Sequence, residues 1–376
     1  MAIEVEKEEL SIAAAELSKA LPDVVVADSV VPEAYVWPKE ELAHVGHDEY
    51  AGDDEIPVID LGGVNGDLDE TRRREICDRI RVALGSWGFF QVVNHGVDLA
   101  LVERVQAISK KFFELPLETK ELIDCTFEED RLLGYGFLVA NKDRTSRRSW
   151  SEGLFVDSPH VALYSSTFWP EDHDIQTEFS EAMEEYIGAV GEFAIRLFRL
   201  ILGSLGVDYP VTESERFLPK EPALIRLNHY PPCPDPSLAS GLVPHYDGNL
   251  ITILHQGDVG GLQVMKDDQW HAVRPHPGAF AINGGNMLQA ISNNLCKSAL
   301  HRAVVNKDED RYSLAYFVQA PNSNGDQVAP LPELVDAEHP AKYHPFSWKE
   351  YIASQVVNIA SQLIISHNAL EYFEVK

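Results

Sequence analysis

Apolar residues recur at helical spacing in three stretches of the chain. In 69–85, Ile76, Ile80, Val82, Ala83 and Leu84 give a helix one apolar side. The same spacing predicts a helix over 102–113, ending near Leu115 and Pro116. A third, long helix is expected over 178–205, where Met183, Ile187, Val190, Ala194, Leu197 and Ile201 share a side. IPVIDL (56–61) and GFFQVVNHG (88–96) have the composition of buried strands. Beyond Tyr209 and Pro210 the pattern changes to period two. Short β-rich runs follow at 223–228, 250–255, 262–265, 270–273, 279–283, 298–305 and 312–319, separated by Gly, Asn, Asp and Pro. With turns between them and no crossover helices, these seven runs predict a double-sheet barrel or jelly roll, not a parallel α/β sheet. Before residue 56 the expectation is a short helix near 8–21 and a loosely held arm broken by Pro22, Pro32 and Pro38.

Charge narrows the possible roles. The 376 residues hold 60 acids against 31 Lys plus Arg, a formal net charge of -29. No basic run exceeds Arg72 to Arg74, which argues against a nucleic-acid partner because counterion release needs clustered cations. Residues 1–56 carry 15 acids and 3 bases, so net -12 sits in the arm. The four cysteines, Cys77, Cys125, Cys233 and Cys296, form no Cys-x-x-Cys pair and suit reduced, buried thiols. The start of the chain is too acidic for a secretory or mitochondrial signal, and a cytoplasmic or nuclear location is expected. Segments 186–207 and 351–370 are apolar, but the first contains Glu192, Arg196 and Arg199 and the second several polar residues. Both read as helices of a soluble core, with no membrane partner.

Candidate chemistry lies in the β-rich half. His245 and Asp247 are two apart, so on a strand an imidazole and a carboxylate would face one side. His301, on a later run, could add a third ligand. Two histidines and one carboxylate are the donor set of non-haem Fe(II) oxygenases, although zinc sites use the same types. A lone His-x-Asp is weak evidence among 14 histidines and 60 acids. Arg311 and Ser313, ten residues after His301, strengthen it, because a buried guanidinium there needs an anionic partner and its planar fork suits a carboxylate.

In this order, Asn228-His229-Tyr230-Pro231-Pro232-Cys233, His245-x-Asp247, His301 and Arg311-x-Ser313 resemble the plant 2-oxoglutarate and Fe(II)-dependent dioxygenases. Upstream, 56–60, 88–96 and Phe112-Phe113-x-Leu115-Pro116 extend the resemblance over roughly 56–355. It implies an α+β fold: a double-stranded β-helix (jelly-roll) core, an N-terminal helical domain packed on it, and flanking helices. The corresponding units are an acidic arm (1–55), a mostly helical domain (56–215), the oxygenase jelly roll (216–325) and a C-terminal helical extension (326–376). It further implies Fe(II) on His245, Asp247 and His301. The distal carboxylate of 2-oxoglutarate would lie on Arg311 and Ser313, assisted by Tyr230 and Asn228, with ascorbate as reductant. The reaction would couple O2 and decarboxylation to succinate and CO2 with oxidation of a substrate C–H bond. Two positions depart from the family pattern. Tyr246 replaces a small residue between the ligands, and Asn283-Gly284-Gly285-Asn286 ends in Asn where the family has Asp, a change expected to keep the same turn or cap bonds.

For the substrate, the Ser149-Trp150-Ser151-Glu152-Gly153-Leu154-Phe155 tract and Phe168-Trp169-Pro170 resemble the gibberellin oxidases. That implies a carboxylated diterpenoid, with Tyr135, Phe155 and Phe317 as candidate lining and Arg147 or Arg148 as candidate carboxylate partners. Phe155 and Phe317 read more readily as core aromatics than as substrate contacts, and the adjacent arginines more readily as a solvated turn. Oxidation of flavonoids, alkaloids or other hormones is the alternative, and a non-catalytic ligand-binding paralogue the alternative of another class. Oligomeric state has no sequence signature here.

Overall fold

A computed structural model describes residues 30–38, 42, 46–50, 55–63, 69–128, 131–136, 148–207, 224–319, 327–360 and 368–376. The expected helix at 8–21 lies outside these residues. Chain order begins with β1 (Val58–Asp60), helix α1 (Glu70–Ser86), β2 (Phe89–Val93) and α2 (Leu99–Phe113). Asp69 and Asp98 cap the two helices by accepting from the Thr71 and Ala100 amides. Next come a single turn, α3 (Leu117–Lys120), then β3 (Thr126–Glu128), β4 (Arg131–Tyr135) and β5 (Glu152–Asp157). Two further helices follow, α4 (Val161–Phe168) and the 32-residue α5 (His173–Ser204). The inward stripe of α5 includes Met183, Val190, Ala194, Leu197 and Ile201. No described helix is long and apolar enough to cross a membrane.

The β-rich half supplies β6 (Leu224–Tyr230), β7 (Leu242–His245), β8 (Ile251–His255), β9 (Leu262–Lys266), β10 (Gln269–Ala272), β11 (Phe280–Gly284), β12 (His301–Ala303) and β13 (Arg311–Val318). A nine-stranded sheet runs β1-β2-β11-β8-β13-β6-β5-β4-β3, and facing it a four-stranded sheet runs β10-β9-β12-β7. Apart from the parallel β1–β2 pair, every pairing in these two sheets is antiparallel. The protein is therefore α+β with a jelly-roll core, as the period-two runs predict. The main apolar core lies between the large sheet and the helices, and holds Phe90, Phe112, Tyr186, Leu197, Ile253 and Ile282.

Several elements differ from expectation. Strand β7 is absent from the period-two reading, since Leu242–His245 contains Pro244 and is only half buried. A short helix, α6 (Asn286–Ile291), interrupts the run of strands between β11 and β12. Strands β3, β4 and β5 come from a stretch expected to be mostly helical. All six residues of β5 are buried, which erases the alternation that would mark a strand. The C-terminal stretch combines α7 (Trp348–Ala360) with a two-stranded sheet, β14 (Gln327–Val328) and β15 (Phe346–Ser347).

Candidate metal and cosubstrate site

His245 ends β7 and His301 begins β12, and antiparallel pairing sets the two directly opposite each other. Their rings lie 4.2 Å apart, centre to centre. Asp247 stands just beyond the end of β7, so it reaches the histidines from the connection toward β8 and not by simple strand alternation. Its Oδ1 lies 3.6 Å from His245 Nε2 and 3.7 Å from His301 Nε2. The three ligand atoms all fall within 4.8 Å of one another.

Backbone and side-chain partners fix the orientation of each group. His245 Nδ1 lies 2.8 Å from the Val243 carbonyl and His301 Nδ1 lies 3.0 Å from the Ala299 carbonyl. Both Nδ1 atoms therefore carry the proton, and both Nε2 lone pairs face the centre. Asp247 Oδ2 accepts from Thr252 Oγ1 at 2.5 Å and Asn283 Nδ2 at 2.7 Å, which turns Oδ1 toward the imidazoles. Thr252 and Asn283 pair across β8 and β11, so the large sheet aims the carboxylate while the small sheet carries the histidines. Loss of solvation, then the His301 ring, lowers the His245 pKa to about 4. Burial alone would raise the Asp247 pKa, but the two imidazoles and the Thr252 and Asn283 hydrogen bonds outweigh it and hold it below the usual carboxylate value. Two imidazoles that present Nε2 and a carboxylate on one side fit a divalent metal with open positions. Tyr246 is partly exposed and feels Glu371, so its side chain lies toward the C-terminal segment.

Arg311 and Ser313 share the inner side of β13, opposite Tyr230 and Asn228 of β6. Asn228 Nδ2 donates to Ser313 Oγ at 3.3 Å. Arg311 is buried, its Nε donates to the Val259 carbonyl at 3.2 Å, and its guanidinium lies 4.9 Å from the Tyr230 ring centre. Burial lowers its pKa, and among the described residues the groups that act on its charge are the Tyr230 and Tyr50 hydroxyls, not a carboxylate. A buried cation with such surroundings is suited to an incoming anion.

The remaining candidates separate. Phe155 and Phe317 lie together in a small apolar cluster with Cys125, Leu132, Leu133 and Leu224. Tyr135 is not part of that wall. It lies in the main core and its hydroxyl donates to Glu152 Oε2 at 2.6 Å. Arg148 sits against the N-terminal arm: its amide donates to the Ala34 carbonyl at 2.6 Å and its carbonyl accepts from Trp37 Nε1 at 3.1 Å. Two backbone hydrogen bonds thus tie Arg148 to the arm. Arg147 lies outside the described residues.

Two features escape a reading by motif. Arg226 falls two residues before Asn228 and so on the same side of β6. Its guanidinium lies 4.9 Å from the Phe155 ring centre, and its charge acts on both Asp247 and His245. The strand alternation that groups Asn228 with Tyr230 contains the signal for it. The second feature is a partly buried charge cluster on the opposite side of β6. Glu152 Oε1 meets His229 Nδ1 at 2.7 Å, Glu152 Oε2 meets Lys120 Nζ at 2.8 Å, and His229 Nε2 meets Asp310 Oδ1 at 2.6 Å. The Glu152 of the Trp-Ser-Glu-Gly tract is therefore tied to this cluster.

Comparison with known proteins agrees with this geometry. Residues 222–320 match the 2OG-Fe(II) oxygenase superfamily, and residues 56–172 match the N-terminal region described as non-haem dioxygenase in morphine synthesis. The chain belongs to the 2OG-Fe(II) oxygenase superfamily. It is 35% identical to gibberellin 3-beta-dioxygenase 4 of Arabidopsis thaliana over 312 residues, covering 80% of this chain and 82% of that one. It is 34% identical to an Arabidopsis thaliana flavonol synthase/flavanone 3-hydroxylase over 296 residues, covering 79% and 84%. Among solved structures, JOX2 in complex with 2OG, Fe and JA superposes with a TM-score of 0.76 at 31% identity, covering 95% of this chain and 98% of that one. The protein is thus an oxidoreductase of this superfamily whose cofactors are Fe(II) and 2-oxoglutarate.

Proposed function

We propose that this oxygenase oxidises a small, hydrophobic, carboxylated metabolite, of which a gibberellin is the best-supported kind. Arg226 carries the reading. It places a half-buried guanidinium beside the apolar wall of Phe155, Phe317, Leu133 and Leu224, and within electrostatic reach of the metal ligands. An acid gripped at Arg226 would lay its hydrocarbon skeleton along that wall and present a C–H bond to the metal.

In this reading His245, Asp247 and His301 would hold Fe(II), and Arg311 with Ser313 and Asn228 would hold the distal carboxylate of 2-oxoglutarate, the Arg311 guanidinium lying over the Tyr230 ring. When bound, Fe(II) and 2-oxoglutarate supply O2 activation with release of succinate and CO2. The chain's own groups position and exclude. The two Nδ1 to carbonyl bonds keep the imidazoles presenting Nε2, and Thr252 with Asn283 prevents Asp247 from rotating away. The aromatic wall keeps water from the reacting carbon, and Arg226 limits how the substrate can turn. Identity to gibberellin 3-beta-dioxygenase 4 supports the gibberellin assignment, while the comparable identity to a flavonol synthase sets the competing substrate.

The test is a substrate panel. Purified protein with Fe(II), 2-oxoglutarate, ascorbate and either gibberellins or flavanones is followed by product mass spectrometry. Oxidised gibberellin is the expected result, and flavanone turnover without a gibberellin product overturns the assignment. Arg226→Leu is expected to raise KM for the acid by about 2 to 3 kcal/mol, the worth of a lost charge-assisted pair, while leaving KM for its methyl ester unchanged. Arg226→Lys, which keeps the charge, guards against loss of the fold.

A further inference from the structure

The described parts of the N-terminal arm converge on the two supports of Arg311. The first support is Tyr230, whose ring underlies the guanidinium. Val31 and Tyr35 of the arm pack into the apolar cluster that contains Tyr230, Trp150, Cys233 and Val305. There the Tyr35 ring meets Trp150 edge-on at 5.3 Å, and the Trp37 amide donates to the Leu238 carbonyl at 2.9 Å. The second support is the Val259-Gly260-Gly261 turn, which accepts the Arg311 Nε hydrogen bond. A methyl group on Gly261 would lie 3.0 Å from Arg311 Cδ, and one on Gly260 would lie 2.6 Å from the Tyr50 hydroxyl and 2.5 Å from the His47 carbonyl. This turn is therefore pressed between Arg311 on one side and the arm on the other. Only glycine admits such an approach from both sides.

The second arm segment is itself anchored. The Arg274 guanidinium lies 4.1 Å from the Tyr50 ring centre and pairs with Glu55 at 3.1 Å. Gln263 Nε2 donates to the Gly46 carbonyl at 3.2 Å, and Gln263 Oε1 accepts from Arg302 Nε at 2.9 Å, next to His301 in β12. These contacts tie the arm to β9 and β12 of the small sheet.

From this juxtaposition we propose that the N-terminal arm is a working wall of the cosubstrate pocket, with Tyr50 as a positioning residue that holds the Val259-Gly260-Gly261 turn against Arg311. Tyr50 acts through Arg311 and does not touch the reacting atoms. Removing its side chain frees the turn to move outward, and Arg311 loses the support that aims its fork at the distal carboxylate. This inference rests on the assignment of Arg311 to 2-oxoglutarate.

Anaerobic titration of the Fe(II) protein with 2-oxoglutarate, followed by the visible charge-transfer band and by the cosubstrate-induced rise in unfolding midpoint, tests it. Tyr50→Ala is expected to weaken 2-oxoglutarate binding by roughly 10-fold, the scale on which partners of a ligand-holding residue act. KM for 2-oxoglutarate should rise in parallel, with kcat at saturating cosubstrate and KM for the organic substrate unchanged. Tyr50→Phe, which keeps the ring under Arg274, should recover most of the affinity. Arg311→Ala, measured alongside, separates the two levels. If Arg311→Ala weakens binding and Tyr50→Ala does not, the arm is a passive covering and the proposal fails. If neither does, the assignment of Arg311 fails. A Tyr50→Ala protein with a lower unfolding midpoint and lower kcat but unchanged 2-oxoglutarate affinity also overturns the proposal, since that is the pattern of general destabilisation.

Discussion

Asn286 shows what one residue can decide. It opens α6 with no exposure, and its Nδ2 donates to the Tyr351 hydroxyl at 2.8 Å and to Asn368 Oδ1 at 2.7 Å. Asn368 Nδ2 returns a bond to Asn286 Oδ1 at 3.0 Å, and Asn368 Oδ1 is already held by the Leu370 amide. The position is therefore not a cap, which corrects the expectation that Asn here makes the turn or cap bonds of Asp. It locks the metal-side turn to the C-terminal segment, while its amide donates to the Asp247 carbonyl at 2.7 Å. Asn286→Asp would remove a donor and set a carboxylate against Asn368 Oδ1, at a cost of about 1 to 3 kcal/mol. The urea midpoint is expected to fall accordingly, and an unchanged midpoint would contradict the pairing. At Arg311 the stake is ligand binding. Arg311→Ala is expected to raise KM for 2-oxoglutarate by the equivalent of roughly 2 to 4 kcal/mol, and steady-state kinetics with varied cosubstrate measures it.

Among the elements, β6 is a partition with a different chemistry on each side. Arg226, Asn228 and Tyr230 face the jelly-roll interior. On the other side His229 lies between Glu152 of β5 and Asp310, the residue before β13, and stacks on Tyr312 at 4.5 Å and 6°. Burial alone would lower the His229 pKa, but the hydrogen bonds to Asp310 and Glu152 outweigh it and the net shift is upward. For Glu152 burial would raise the pKa, and His229 and Lys120 outweigh it to give a net lowering. The signs follow from linkage. His229 stabilises fully below its unfolded pKa of about 6.5, and this contribution is lost as pH rises through the higher folded value. Glu152 stabilises above its unfolded pKa of about 4.3 and loses that as pH falls through its lower folded value. Urea midpoints between pH 6 and pH 9 are expected to decline in the native protein and to show a shallower decline in His229→Gln. Equal slopes would show that His229 is neutral throughout.

For the whole molecule, the decisive feature is that one sheet crosses the proposed division of the chain near residue 216. Strand β2 pairs with β11, and β5 pairs with β6, so both flanks of the jelly-roll strands are completed by residues from the first half. A fragment spanning 216–325 would expose these two edges together with the apolar side that packs on α2 and α5. Such edges promote aggregation. The fragment is expected to be insoluble or to lack a near-ultraviolet dichroism signal, whereas the full chain should unfold in one transition by far- and near-ultraviolet dichroism. A soluble fragment with native-like signals would show that the halves fold separately. Part of the net charge of -29 also acquires a location: Asp48, Glu49 and Glu55 belong to the arm, whereas the interior beside the metal ligands holds Arg226 and Arg311.

The order and spacing of His245, Asp247, His301, Arg311 and Ser313, and the change from helical to period-two patterning near Pro210, were legible in the chain alone. They were legible because period-two patterning and ligand type are local properties, although Asp247 joins the histidines from the connection after β7 and not by alternation. Strand β5 was not, because a strand buried on both sides shows no alternation, and β7 was not, because Pro244 and its half-burial hide it. Tertiary structure alone decided that Asp247 is aimed by Thr252 and Asn283, and that Tyr135 belongs to the core while Arg226 faces the aromatic wall. It also brought Tyr50 over the turn that holds Arg311, some 210 residues further along the chain. These outcomes depend on which strands become neighbours and which side chains lose water together, and such long-range packing leaves no period in the sequence.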